Sequence, residues 1–284
     1  MNDYEIIFKV DGEEISQEAI RAKERERYNV AFEMFYRVGV TARLNNRKLT
    51  LQDCKALSLK QAADALGNLK EDLGREGIPQ ILSTELAAGD AAWREISENS
   101  ESFRNLQPGL VEVEAHGITL PQFMMVNQQV ARENSVNLAS HIHPEHYYFQ
   151  SGKGSEQTIV ETFGMWGHPV MLHLVPGKNL RHPIELDRDT MFAMQGTTRL
   201  ASDETDTKIV GMHQIKERAD GSLAIKMGVF VPEAAPAEVA EGHKWHMLVE
   251  FNNVLHMAAT QHPNMLQRAA MNFALKQMAK QFGR

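Results

Sequence analysis

Three short stretches of the chain carry the side chains that could do chemistry. Residues 141–146 read HIHPEH, residues 157–163 read QTIVETF with Glu161 inside, and residues 246–250 read HMLVE, which sets His246 and Glu250 four apart. Imidazole nitrogens and carboxylate oxygens are ligand types of zinc and non-haem iron. On a helix, His246 and Glu250 share one face with Cβ atoms about 5–6 Å apart, close enough to hold one ion. If residues 157–163 form a strand, Ile159, Glu161 and Phe163 lie on one side of it. A carboxylate between two large apolar residues is costly to bury unless a partner or a metal takes up its charge. The alternatives for Glu161 are an open, solvated face or an arginine that meets it. Of His141, His143 and His146, only one need bind an ion. His143 is the choice, because Pro144 stiffens the chain directly after it, ahead of the aromatic run Tyr147, Tyr148 and Phe149. His213 has Ile209, Gly211 and Ile215 on its own strand face. Such a histidine is often a packed core residue, but beside a metal a neutral imidazole is the expected proton carrier.

The elements that must position these residues change character along the chain. Residues 4–10 read as a strand closed by Asp11-Gly12, and from Ser16 to about Leu44 the apolar spacing predicts a helix. Residues 51–74 and 78–96 continue the helical pattern, with Ser58 as an N-cap and Gly74 as a stop. The polar, turn-rich stretch 99–109 is the best boundary, giving a mainly helical region over 1–105 and a second region over 106–284. In the second region, 110–115, 146–150, 157–163 and 170–175 read as strands and 120–133 as a helix. Residues 207–216 and 222–231 form a hairpin pair through Asp220-Gly221. The chain is then helical from about 237 to 283, with a break at Gln261-His262-Pro263. Antiparallel strands followed by one long helix predict an α+β fold, a curved sheet wrapped on the C-terminal helix with a cavity between them.

Composition narrows the possibilities. The chain has 284 residues, 43% hydrophobic and 24% charged, as expected of a globular protein with a sizeable core. A net charge of −7 and the lack of a dense Lys/Arg stripe argue against a nucleic-acid partner. Cys54 is the single cysteine, so no disulfide forms within the chain. The first residues have no signal-peptide pattern, and no apolar run is long enough to span a bilayer. The expectation is a cytoplasmic location with no membrane partner. The signatures of serine hydrolases, nucleoside triphosphatases and dinucleotide-binding proteins are missing.

The order of the motifs resembles that of the diacetylphloroglucinol hydrolase and phloretin hydrolase family, zinc enzymes that cleave a carbon–carbon bond between an acyl group and a phenolic ring. The likeness runs from about Val111 to Ala259. It comprises AHGIT (115–119), HPEHYYF (143–149), TIVETFG (158–164), the His213 hairpin and HMLVE. It implies a helix-grip, START-like catalytic domain over 106–284 with His143, Glu161, His246 and Glu250 on zinc. It also implies His213 near the acyl carbonyl as proton donor, His146 near the phenolic ring, and a small aromatic acyl substrate. Where the family has an aromatic residue ahead of the histidine, this chain has His141-Ile142, and residues 1–105 have no counterpart.

Two other classes use the same parts. A non-haem iron oxygenase needs two histidines and a carboxylate, and a helix-grip cavity can hold an apolar ligand without catalysis. The start VDGEEIS (10–16) with its charged helix is faintly similar to peptidyl-prolyl isomerase chaperones, without their catalytic domain. The apolar stripe of the N-terminal helices could serve a homodimer.

Overall fold

The computed structural model describes residues 4–152, 156–177, 180–271 and 273. The chain opens with the hairpin β1 (Glu5–Val10) and β2 (Glu13–Ile15), turned by Asp11 and Gly12, both at positive φ. Helix α1 (Gln17–Arg37) starts at Ser16, whose Oγ accepts from Ala19 N. It ends well short of the expected Leu44. Gly39 takes a φ of 83°, and a small hairpin follows, β3 (Arg43–Leu44) and β4 (Arg47–Lys48), turned by Asn45 and Asn46 at positive φ. After α2 (Leu51–Lys55), helix α3 (Leu59–Ile81) is capped by Ser58 and broken at Gly74, where φ is 68°. Helix α4 (Ser83–Glu98) completes the N-terminal helices.

The remaining strands are β5 (Gln107–His116), β6 (Tyr148–Ser151), β7 (Gln157–Glu161), β8 (Val170–Pro176), β9 (Phe192–Leu200), β10 (Asp206–Glu217) and β11 (Leu223–Val231). Two helices, α5 (Leu120–Glu133) and α6 (Val136–Ile142), lie between β5 and β6, and α7 (Ala237–Ala259) follows β11. Nine strands form one antiparallel sheet in the order β2-β1-β5-β11-β10-β9-β8-β7-β6. The α+β class and the long helix after the strands are as expected. Strand β9 and helix α6 were not. The first hairpin crosses the expected boundary, because β1 pairs with β5, Phe8 opposite Val113. Helix α7 ends at Thr260 next to the predicted break, while the helical reading of 274–283 lies outside the described residues.

Two large cores and a small cluster at Ala193, Val210, Met212 and Phe230 hold these layers. The larger joins one face of the sheet to α7, with Val113, Ile225 and Met227 from strands and Met247, Leu248 and Phe251 from the helix. Most of α7 is buried, polar residues such as His246 and Asn252 included, and it is packed by β5, β11, α1, α5 and α6. The second core lies among α1, α3 and the β6–β7 end, with Phe32, Phe35, Leu66, Tyr147 and Val160. Ile159 and Phe163 belong to the first core and Val160 to the second, so β7 is covered on both faces. Glu161 shares the Ile159 side, the side of α7.

Candidate metal centre

Helix α6 stops at His143, whose extended φ of −145° makes it the C-cap. A tight turn follows, with His146 N donating to His143 O at 3.1 Å. Pro144 sits at the turn's second position, where its fixed φ suits a type I turn. The turn therefore brings the two histidines at its ends to one side. Tyr147 N then donates to Val160 O and ties the segment to β7. Helix α7 brings up His246 and Glu250, and β7 ends in Glu161.

His143, His146 and His246 are all buried, and each offers a ligand atom within 4.8 Å of the other two, close enough to hold one metal ion. His146 Nε2 and His246 Nε2 are 3.0 Å apart. Glu161 Oε2 is 3.5 Å from His146 Nε2 and 3.6 Å from His246 Nε2, and Glu250 Oε2 is 3.7 Å from His246 Nε2. Metal–ligand bonds of about 2.0–2.2 Å at tetrahedral to octahedral angles put neighbouring donors about 2.9–3.6 Å apart. The spacing of these four side chains falls close to that range. The rings of His143 and His246 stack at 3.8 Å. His143 Nδ1 accepts from Glu145 N at 3.2 Å, which leaves the ring hydrogen on Nε2, buried and without a partner. Ligation through that Nε2 requires the hydrogen to move and the Glu145 bond to open.

The protonation states suit a cation. Burial pushes the imidazolium forms of His143 and His246 well below the ordinary histidine range, and neighbouring histidines push further the same way. Both rings are therefore neutral at pH 7. Burial raises the Glu250 carboxyl above its ordinary range, against the pull of His146. His246 Nδ1 is a buried atom without a partner. Neutral rings at His143 and His246 offer lone pairs that a divalent ion could take up.

His213 stands on β10 with its ring edge to face with Phe251 of α7 at 5.7 Å. Burial, with His243 second, lowers its pKa to about 4, and its Nδ1 is buried without a partner. His141 is turned elsewhere, with Nε2 3.1 Å from Asp64 Oδ1 and Nδ1 3.0 Å from Asn137 O. His146, expected at the phenolic ring, stands among the would-be ligands. His243 has no expected role, yet its ring stacks between Phe163 at 4.4 Å and His246 at 4.8 Å, and burial takes its pKa to about 4. The signal for it was its place one helical turn before His246, on the same face.

One close approach sets where α7 delivers these groups. The 3-10 turn Phe163–Met165 after β7 carries Gly164 at a φ of 65°, and a Cβ on it would lie 2.5 Å from Val239 O. A Cβ on Gly242 would collide with the Gly164 carbonyl oxygen. The two glycines let the backbones of turn and helix touch directly, one residue from His243.

Comparisons of the chain with protein-family models, with curated proteins and with solved structures return no match. Among the described residues no helix is long and apolar enough to cross a membrane.

Proposed function

We propose that this protein is a divalent-metal hydrolase, with zinc on His146, Glu161, His246 and Glu250 and with His143 stacked beside them. The observation that carries the reading is the convergence of these donors, three of them buried and Glu250 part-exposed, from a turn, a strand end and a helix. The substrate class is an acyl-phenol, split at the carbon–carbon bond between acyl group and ring. That part rests on the motif order from HPEH to HMLVE and on the α+β arrangement, which is compatible with a helix-grip domain. When bound, the ion supplies Lewis-acid activation of water and of an acyl carbonyl.

His213 is the proton carrier. A pKa of about 4 makes the ring neutral at pH 7, so it takes up a proton before it gives one. It accepts the proton of the attacking water while the oxygen bonds to the acyl carbon. The acyl–ring bond then breaks with its electron pair on the ring carbon, and His213 returns the proton there. The products are a carboxylic acid and the deacylated phenol.

Elemental analysis of the protein and of His246→Ala, with acid release from acyl-phenols, tests the proposal. About one zinc per chain is expected, with metal and turnover both lost in the variant; turnover by metal-free protein refutes it. His146, Glu161 and His246 also make the two-histidine, one-carboxylate set of non-haem iron oxygenases. Stoichiometric iron with oxygen uptake would select that chemistry.

A further inference from the structure

The turn that carries His143 and His146 has a second side. Glu145, between them, is fully buried and gripped at two points by Arg27 of α1, Nε to Oε2 at 2.5 Å and Nη2 to Oε1 at 2.7 Å. Lys70 of α3 is also fully buried, and its Nζ donates to Pro144 O at 3.0 Å and to His146 O at 2.7 Å. Lys70 Nζ also lies 5.5 Å from the centre of the Tyr147 ring. Two basic side chains from two different helices thus hold the Glu145 carboxylate and the Pro144 and His146 carbonyls of one four-residue turn. The other side of that turn presents the histidines.

Apolar packing would hold this turn with less desolvation. Well-packed hydrophobic replacements of buried ion pairs are often as stable as the originals or more so. What packing does not supply is direction. A bidentate guanidinium–carboxylate pair fixes orientation, and a buried lysine nitrogen donating to two carbonyls fixes the positions of two peptide planes. Groups that orient metal ligands in this way commonly govern affinity by about 10–100-fold.

We propose that Arg27 and Lys70 are positioning residues for the metal centre, holding the 143–146 turn so that His146 meets the donors of α7 and β7. The N-terminal helices are then part of the metal site although they contribute no ligand. This rests on the metal reading above.

The test is cobalt(II) binding by the full chain, followed by its visible absorption and by competition with a chelator. The variants are Lys70→Met and the paired Arg27→Met/Glu145→Met, which removes the guanidinium and the carboxylate together. Lys55→Met, at the exposed pair with Glu33 in the same helical region, serves as control. Cobalt affinity is expected to fall about 10–100-fold with an altered spectrum in the first two and to stay unchanged in the control. Should the paired variant not fold, Arg27→Lys keeps the charge and loses the two-point grip, and a fall of the same sign is expected. Wild-type affinity and spectrum in folded variants would overturn the positioning role alone. No cobalt binding by the wild-type chain would overturn the metal reading, and this proposal with it.

Discussion

Replacing Arg27 alone with Met leaves Glu145, fully buried, without the guanidinium that holds it. Removing one partner of a buried pair costs about 3–5 kcal/mol. The cost depends on pH in a direction that can be worked out. Burial already holds the Glu145 carboxyl above its ordinary range in the wild type, with Arg27 opposing the rise. A carboxyl raised in the folded state keeps its contribution below the unfolded pKa and loses it as pH climbs through the folded pKa. Arg27→Met raises the folded pKa further, so its loss continues to higher pH. A cost of about 3–5 kcal/mol therefore develops as pH climbs above the wild-type pKa of Glu145 and levels off once the variant's carboxyl is ionised. Near pH 4 both proteins carry a neutral Glu145, and the variant should be as stable as the wild type. Urea unfolding of metal-free protein at several pH values measures the difference directly. Arg27→Met/Glu145→Met should restore stability near pH 7.5 to within about 1 kcal/mol of wild type or above it. A pH-independent loss, or a loss under about 1 kcal/mol at high pH, would refute the account of a desolvated carboxylate dependent on Arg27.

Two further outcomes follow from the same geometry. Because Glu250 is held above the usual carboxylate range by burial, protons compete with the ion for it. Metal affinity should drop as pH falls through that raised pKa and drop less steeply in Glu250→Gln; parallel profiles would remove Glu250 from the site. Gly242→Ala would force α7 away from the Gly164 carbonyl, at about 1–3 kcal/mol by the usual cost of overpacking. Metal affinity should fall with it, and a variant with wild-type stability would show that the close approach is not required.

The parts of the site that were legible in the sequence are those set by local periodicity. His246 and Glu250 share a face because a helix repeats every 3.6 residues, and Glu161 follows Ile159 on one face because a strand alternates. The choice of His143 from HIHPEH used the stiffness of Pro144. It missed that a turn closed by His146 N on His143 O brings both histidines to the same side. Helix α6 was missed because seven residues of VNLASHI are too few for a period, although Ser135 caps it through Asn137 N and Leu138 N. Strand β9 was missed because its middle, Gln195 to Thr197, is polar and holds a glycine, which weakens the strand pattern. The contacts of Arg27 and Lys70 bridge 118 and 74 residues to Glu145 and Pro144, and no local pattern reports such a distance.

The place of β1 in the sheet has a consequence during synthesis. Its partner β5 begins at Gln107, β5 in turn lies beside β11, and the ligands on α7 come near residue 250. At about 5–20 residues per second, the last donors leave the ribosome on the order of 5–20 s after the 143–146 turn. Until then the nascent chain holds β5 without β11 for most of the interval, and two histidines without the donors of α7. On the proposed metal reading, capture of the ion waits until α7 has been made and has docked against β7 and the 143–146 turn.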